Sequence, residues 1–356
     1  MHEAVLFLKK RIISSLVVFS MLAASLSGCD MSGAEKDGIV VMDIGMSFPE
    51  DDFRCKYVYE FGEDIVKKTR GRVSVKYHYL DEYPEQNYMH DDILNPSGKL
   101  DMALIAAPYF SDEVPETGVS GLPFMFSDYE MAWEFADSDV NKEVDDLLIQ
   151  KGVRVLSHFC GSFRNMSDSV RAINSPGDIE GLAMTTVKSK TMLDMFTTLG
   201  SVSYSIPAAE MHDAYKKGTY DGGDWSLTTF MLYRLYEVQP YVAITNHAYN
   251  LWNFCIREST WQKISPEDQE IILDAAATAA KRERERVRDS EIERIEEIKA
   301  MGVVVTYPET REFAKALEPK REEYAAGFMD TYEKAVEWIE EHSKDTQAHL
   351  ISGNVY

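Results

Sequence analysis

The side chains able to do covalent, acid–base or metal chemistry are few in this chain and far apart. Eight histidines are scattered through 356 residues, none in an HxxxH or HExxH spacing. The four cysteines, Cys29, Cys55, Cys160 and Cys255, form no CxxC pair, so neither a zinc site nor a dithiol redox motif is indicated. No GxSxG elbow, P-loop or GxGxxG turn is present, which removes the commonest signatures of acyl transfer, phosphoryl transfer and dinucleotide binding. No nucleophile with its base and no cluster of acids can be picked out. These residue types point away from an enzyme and call for no cofactor and no metal.

Composition narrows the class further. Sixty acidic residues against 37 basic ones give a formal charge of −23. Nucleic-acid binding needs a basic face, and this balance argues against it, as it does against broad adhesion to anionic lipid. A hydrophobic content of 45% supports a well-packed core, and the length allows two ordinary domains.

The N-terminus carries an export signal. Lys9, Lys10 and Arg11 precede an apolar run from Ile12 to Leu26. That order of basic region, apolar core and small residues is a secretory signal, and the run is short for a spanning helix. Leu26-Ser27-Gly28-Cys29 resembles the lipobox of bacterial lipoproteins. The resemblance implies that residues 1–28 are removed, that Cys29 is lipidated, and that 29–38 tether the protein to the outer face of the cytoplasmic membrane. In that oxidising setting Cys160 and Cys255 are the candidate disulfide; three buried free thiols are at least as well supported.

The mature chain alternates strands and helices. Val40–Met46 reads as a buried strand, Asp51–Arg70 as a helix closed by Gly71, and 73–79 as a period-2 strand. Gln86–Leu94 is a helix and Leu100–Ala106 a strand. Tyr129–Lys151 reads as one helix, Val153–Phe159 as a strand, Ser189–Leu199 and Ala208–Gly218 as helices. Asp221–Asp224 reads as a turn, Leu227–Leu235 as a helix, and Val242–Thr245 and Tyr249–Ile256 as two strands crossing back. This order predicts an α/β sheet covered by helices. Ser265-Pro266-Glu267-Asp268 is a helix start, with an N-cap serine and proline in the first turn. No glycine or proline follows until Gly302, so the helix should run about 36 residues, roughly 54 Å. Sustained heptads are missing, which favours a strut across two domains over a coiled coil. Val303–Thr306 is a short strand, and 309–344 hold one or two amphipathic helices. Two domains without a linker imply chain crossovers, an arrangement suited to hinge closure on a ligand.

Several phrases resemble the DctP-type receptors of TRAP transporters. They are Gly98-Lys99-Leu100-Asp101-Met102, Gly121-Leu122-Pro123-Phe124-Met125-Phe126, Asp178-Ile179-Glu180-Gly181-Leu182, Gly218-Thr219-Tyr220-Asp221-Gly222, Thr245-Asn246-His247 and Pro266-Glu267-Asp268-Gln269. They occur in order across residues 40–340. The resemblance implies a two-lobed, periplasmic-binding-protein-like α/β fold with crossing strands and a long helix bracing both lobes. It places domain I at 39–161 plus 250–289, domain II at 162–249 plus 290–345, and a tail at 346–356. It implies capture of a small organic acid outside the membrane and delivery to separate TRAP membrane subunits.

The family anchors a carboxylate with an arginine where this chain reads Gly181-Leu182-Ala183-Met184-Thr185. Thr185 offers one neutral hydroxyl in place of a charged, bidentate fork. Arg164, where many family members carry a second arginine, is the leading substitute, with a structural ion pair as the competing role. Trp225 and Trp252 are candidate walls of the cleft, core packing being the alternative. Asp224 stands beside Trp225, and Phe48, Asn87 and Tyr88 fall at the cleft edge by analogy. Two indoles, a lost cation and Asp224 favour an aromatic or zwitterionic acid over a simple dicarboxylate, and leave a cation held by Asp224 and indole faces open. Two other classes compete: an exported enzyme on the same scaffold, and a solute-sensing lipoprotein coupled to a membrane signalling partner.

Overall fold

The computed structural model describes residues 39–207 and 210–351, with side chains to 342. The expected signal segment, Cys29 and the expected tether lie outside the described residues. So does the end of the predicted tail, of which the helical backbone is described to Ile351.

One nine-stranded mixed sheet organises the molecule. Strand β1 (Val40–Gly45) pairs in parallel with β2 (Val73–His78) and β3 (Met102–Ala106). Helices α1 (Phe53–Lys68) and α2 (Gln86–Leu94) form the crossovers between them. After α3 (Tyr129–Ala136) and α4 (Asp139–Gln150) comes the long strand β4 (Val153–Asp168). The second half alternates β5 (Ala183–Thr186), α5 (Lys190–Thr198), β6 (Val202–Ser205), α6 (Met211–Lys216), β7 (Gly222–Trp225) and α7 (Leu227–Leu232). Strand β8 (Tyr241–Arg257) then returns antiparallel to β4. The chain ends with α8 (Pro266–Ala300), β9 (Val304–Thr306), α9 (Thr310–Leu317) and α10 (Met329–Ile351).

The strand order is β2-β1-β3-β8-β4-β7-β5-β6, with β9 also on β8. Among the described strands only β4 and β8 serve both halves. The C-terminal end of β8, from Trp252 to Ile256, pairs with β3, while its start pairs with β9. The C-terminal end of β4, Asn165–Asp168, pairs with β7. Midway, the β4–β8 register slips between Cys160 and Phe163, where Ser162 has φ 73°. A slipped register with a left-handed residue bends a strand pair and raises its twist. Helix α8 lies along this junction. Its N-terminal face (Ile272, Ala275, Ala276, Ala279, Ala280) enters the core of the first half with α1, and Ile295 and Ile298 enter the core of the second. Ser265 caps it, accepting from the Asp268 N–H. This is the two-lobed α/β fold with crossing strands and a bracing helix. Among the described residues no helix is long and apolar enough to cross a membrane.

Four local expectations need correction. Residues 222–225 are a strand, because a side-chain-free Gly222-Gly223 pair fits where the sheet is tightest. A Cβ at Gly222 would meet the Ser167 carbonyl, and one at Gly223 the hydroxyls of Tyr215 and Thr185. The expected single helix 129–151 is two, because Ser138 leaves helical geometry and caps α4 by accepting from the Asn141 N–H. The two returning strands are one, continuous through Asn246 at φ 43°. The strand expected over Val153–Phe159 continues to Asp168 and so carries Arg164 within the sheet. Of the two cysteine readings, the free thiols are the one found: Cys55, Cys160 and Cys255 are free and buried, and burial pushes the Cys55 and Cys255 thiols up to about 12.

Candidate functional site

The predicted site residues fall into two groups and an outlying pair. In the first group, β4 and β7 bring together positions 60 apart in sequence. Arg164 donates from Nε to Asp224 Oδ2 at 2.5 Å and from Nη2 to the Asp224 main-chain carbonyl at 2.5 Å. His247 Nε2 meets the same Asp224 Oδ2 at 3.1 Å, and its Nδ1 lies 2.7 Å from Thr245 Oγ1. Arg164, Asp224 and His247 are all buried. Burial alone would raise the Asp224 carboxyl, but the Arg164 charge and the His247 and Arg164 hydrogen bonds overcome it and hold the group well below the usual carboxylate range. Burial lowers His247 below the ordinary imidazole value, against the pull of Asp224. A neutral imidazole facing a carboxylate must carry its proton on Nε2. Its Nδ1 then accepts from the Thr245 hydroxyl. The cluster therefore sums to zero charge: one guanidinium, one carboxylate and one neutral ring. Asp224 Oδ1 is buried with no partner among the described residues.

The motif loop holds this cluster from behind. Phe124, at φ 55°, donates its N–H to the His247 carbonyl at 2.8 Å. Its ring lies 6.2 Å from the imidazole and 6.2 Å from Phe313. Trp225 follows Asp224, with the Arg164 guanidinium 5.8 Å from its ring and the Tyr215 ring 6.5 Å away. Thr185 is fully buried, its hydroxyl engaged with the Tyr215 hydroxyl and the Gly222 carbonyl. It is one strand from the ion pair and contributes no charge.

The second group sits where β8 passes beside the end of β1. Phe48 and Trp252 pack at 5.1 Å with planes tilted by 36°. The Trp252 indole lies so close to Gly161 that a Cβ there would meet its Nε1. Arg54, which sequence reasoning missed, lays its guanidinium 3.6 Å from the Phe48 ring centroid and is 5.9 Å from Trp252. The two groups share no hydrogen bond, ion pair or ring contact among the described residues. Asn87 and Tyr88 are exposed on α2, Tyr88 by 54%, and touch neither group. A cavity of about 1,100 Å3, lined by Trp133, Asp137, His158, Arg284 and Trp338 among others, also shares no residue with either. Among the described residues no cluster of three His, Cys, Asp or Glu could hold a metal.

His247 was legible only as part of a motif, and its tie to Asp224 required the fold. Arg54 was legible only as a cation next to Asp52 after the first strand.

The family described as "Bacterial extracellular solute-binding protein, family 7" (DctP) matches residues 44–327. A solute-binding protein of Verminephrobacter eiseniae is 25% identical over 288 residues, covering 81% of this chain and 85% of that one. The sialic acid-binding periplasmic protein SiaP of Vibrio cholerae is 29% identical over 212 residues, 59% of this chain and 66% of that protein. Among solved structures, a TRAP periplasmic solute-binding protein of Chromohalobacter salexigens with bound D-glucuronate superimposes with a TM-score of 0.77 at 22% identity, covering 84% of this chain and 99% of that one.

Proposed function

The chain belongs to family 7 of the bacterial extracellular solute-binding proteins, receptors rather than enzymes, and we propose that it is the extracytoplasmic receptor of a TRAP transporter. It captures a small organic acid between its lobes, closes over it, and hands it unchanged to the membrane subunits, which carry the coupling to an ion gradient. The observation that carries this reading is the pair β4 and β8, which among the described strands alone are common to both halves of the sheet and whose register slips midway. Two lobes hinged on such a pair can open and shut. We take the lobes as 39–161 plus 250–289 and 162–249 plus 290–345; the change of partners of β4 and β8 on either side of that slip supports the division within the sheet. The sialic acid named for one relative and the D-glucuronate bound to another support an acid as cargo. Arg164, Asp224, Trp225 and Thr185 supply one wall and Phe48 and Trp252 the other. Asp224 Oδ1 offers an unmet acceptor for a solute hydroxyl or amine.

Thermal unfolding with D-glucuronate, N-acetylneuraminate and aromatic acids tests the reading. A solute at 100 times its dissociation constant stabilises the native state by about 2.7 kcal/mol, read as a rise in melting temperature. The bound acid should be recovered unaltered. Silence across the panel would count against capture, and turnover would make the protein an enzyme.

Lipidation of Cys29 would keep the receptor beside its permease. Cys29→Ser should shift the protein from the membrane fraction to the soluble one, and retention by the membrane would refute the anchor. The signalling alternative is separated by genetics. Loss of solute uptake on deletion supports transport, whereas intact uptake with loss of a solute-induced response supports sensing.

A further inference from the structure

Position 185 lacks the cation that resemblance leads one to expect, and Arg164 does not replace it freely. Its charge is cancelled by Asp224, and its side chain is only 9% exposed. A second set of cations lies at the junction of α1 with α8. Arg54 binds Asp52 through two bonds, Nε to Oδ1 at 2.8 Å and Nη2 to Oδ2 at 2.7 Å, leaving Nη1 without a partner among the described residues. Arg294 has no carboxylate within ion-pair distance among the described residues and bonds the Ser290 hydroxyl. Both guanidiniums lie by the same ring, 5.6 and 5.9 Å from Phe53, and both act on Asp52, holding its carboxyl down against the burial that would raise it. Two cations thus share one carboxylate. Glu291 and Glu297 also act on Arg294; Glu291 is enclosed and bonded by Tyr129, and burial pushes it up to about 7, so it offsets Arg294 only in part at neutral pH. Asp52, Phe53, Arg54 and Arg294 are half-buried, so solvent and solute can reach them.

We infer that Arg54 and Arg294, with Phe48, Phe53 and Trp252 around them, form the subsite that takes the carboxylate of the captured solute, in place of the arginine missing at position 185. The inference rests on the receptor reading above. Phe53 and Arg54 open α1 in the first lobe, whereas Arg294 lies in the stretch of α8 assigned to the second. A carboxylate held by both would draw the lobes together, because it binds the closed state better than the open one. Phe48 and Trp252 present an apolar surface beside the anion, so the solute is an organic carboxylate with an apolar or aryl face next to its charged end.

Calorimetric titration of the whole protein with D-glucuronate, N-acetylneuraminate and benzoate, and with the neutral counterparts D-glucose and benzamide, tests this. Arg54→Gln and Arg294→Gln should each weaken the acid that the wild type binds by roughly 10- to 100-fold, the loss of a charge-assisted bond. They should also erase the preference for acid over neutral counterpart. Asp52→Asn keeps an N-cap side chain on α1 and removes the shared carboxylate, so it should tighten acid binding by about 3- to 10-fold; a misfolded variant cannot show a gain. Wild-type binding of an acid with unchanged affinity in both arginine variants would overturn the subsite while leaving the receptor reading intact. Wild-type binding of none of the acids would overturn both.

Discussion

Replacing Glu283 by glutamine should stabilise the protein by roughly 3–5 kcal/mol above pH 8 and change little near pH 4.5. Glu283 projects from α8 into the core and is fully buried. Its Oε2 accepts the Cys160 N–H at 2.9 Å, and its Oε1 has no partner among the described residues. Burial pushes the carboxyl up to about 8, opposed by the Cys160 N–H and by the charges of Arg54 and Arg284. Those cations are committed elsewhere, Arg54 to Asp52 and Arg284 to Asp137 and the His158 carbonyl.

An acid whose affinity for protons is higher when folded makes the folded state bind more protons between the two pKa values. Stability then falls as pH rises from the ordinary carboxyl value of 4.5 toward about 8. Each tenfold difference in proton affinity is worth about 1.4 kcal/mol, which sets the upper end of the expected effect. Glutamine keeps a carbonyl to accept from Cys160 and has no charge to bury. Urea unfolding of both proteins from pH 5 to 9 isolates the contribution, since every other titrating group is common to them. Parallel stability curves across that range would show that Glu283 ionises in the fold without cost. Because Cys160 lies at the slip in the β4–β8 register, the same carboxylate ties the bracing helix to the crossover.

The long helix was legible because its signals are local: a serine cap, a proline in the first turn, and no breaker before Gly302. The sheet was legible in most of its strands because buried parallel strands read as short apolar runs. Three were not: β5 and β6 are only four residues each, β6 largely exposed, and β7, half glycine, carries no β signal and owes its place to the space between β4 and β5. The break between α3 and α4 hung on one serine cap inside an otherwise helical pattern. At the site, sequence could nominate Arg164 and Asp224 separately. Whether they face a solute or each other depends on pairing across 60 residues, which no local pattern reports. Arg54 and Arg294 are 240 positions apart and are brought together by the fold around Phe53 and Asp52.

Breaking the Arg164–Asp224 pair from either side should cost about 3–5 kcal/mol, because each single change leaves one buried charge without its partner. Arg164→Met leaves Asp224 facing only His247, and Asp224→Asn leaves Arg164 enclosed. The double variant removes both charges and should cost much less than the sum of the two, a coupling of a few kcal/mol in a double-mutant cycle. The single variants should also differ in pH dependence. In the native protein burial and Arg164 lower the His247 pKa while Asp224 raises it. Arg164→Met removes the repulsion and keeps the attraction, so the imidazole becomes the surviving counter-charge. A histidine whose folded pKa rises above its unfolded value of about 6.5 adds stability that is complete below that value and is lost as pH climbs through the folded one. Arg164→Met should therefore regain stability on acidification from pH 8 to 6 relative to wild type, whereas Asp224→Asn should lose it, its His247 being left beside Arg164 alone. Opposite slopes for the two variants would show that the three groups act as one charge-balanced unit. Equal slopes would mean that His247 senses neither partner, and additive single costs would mean that the pair is held apart by solvent.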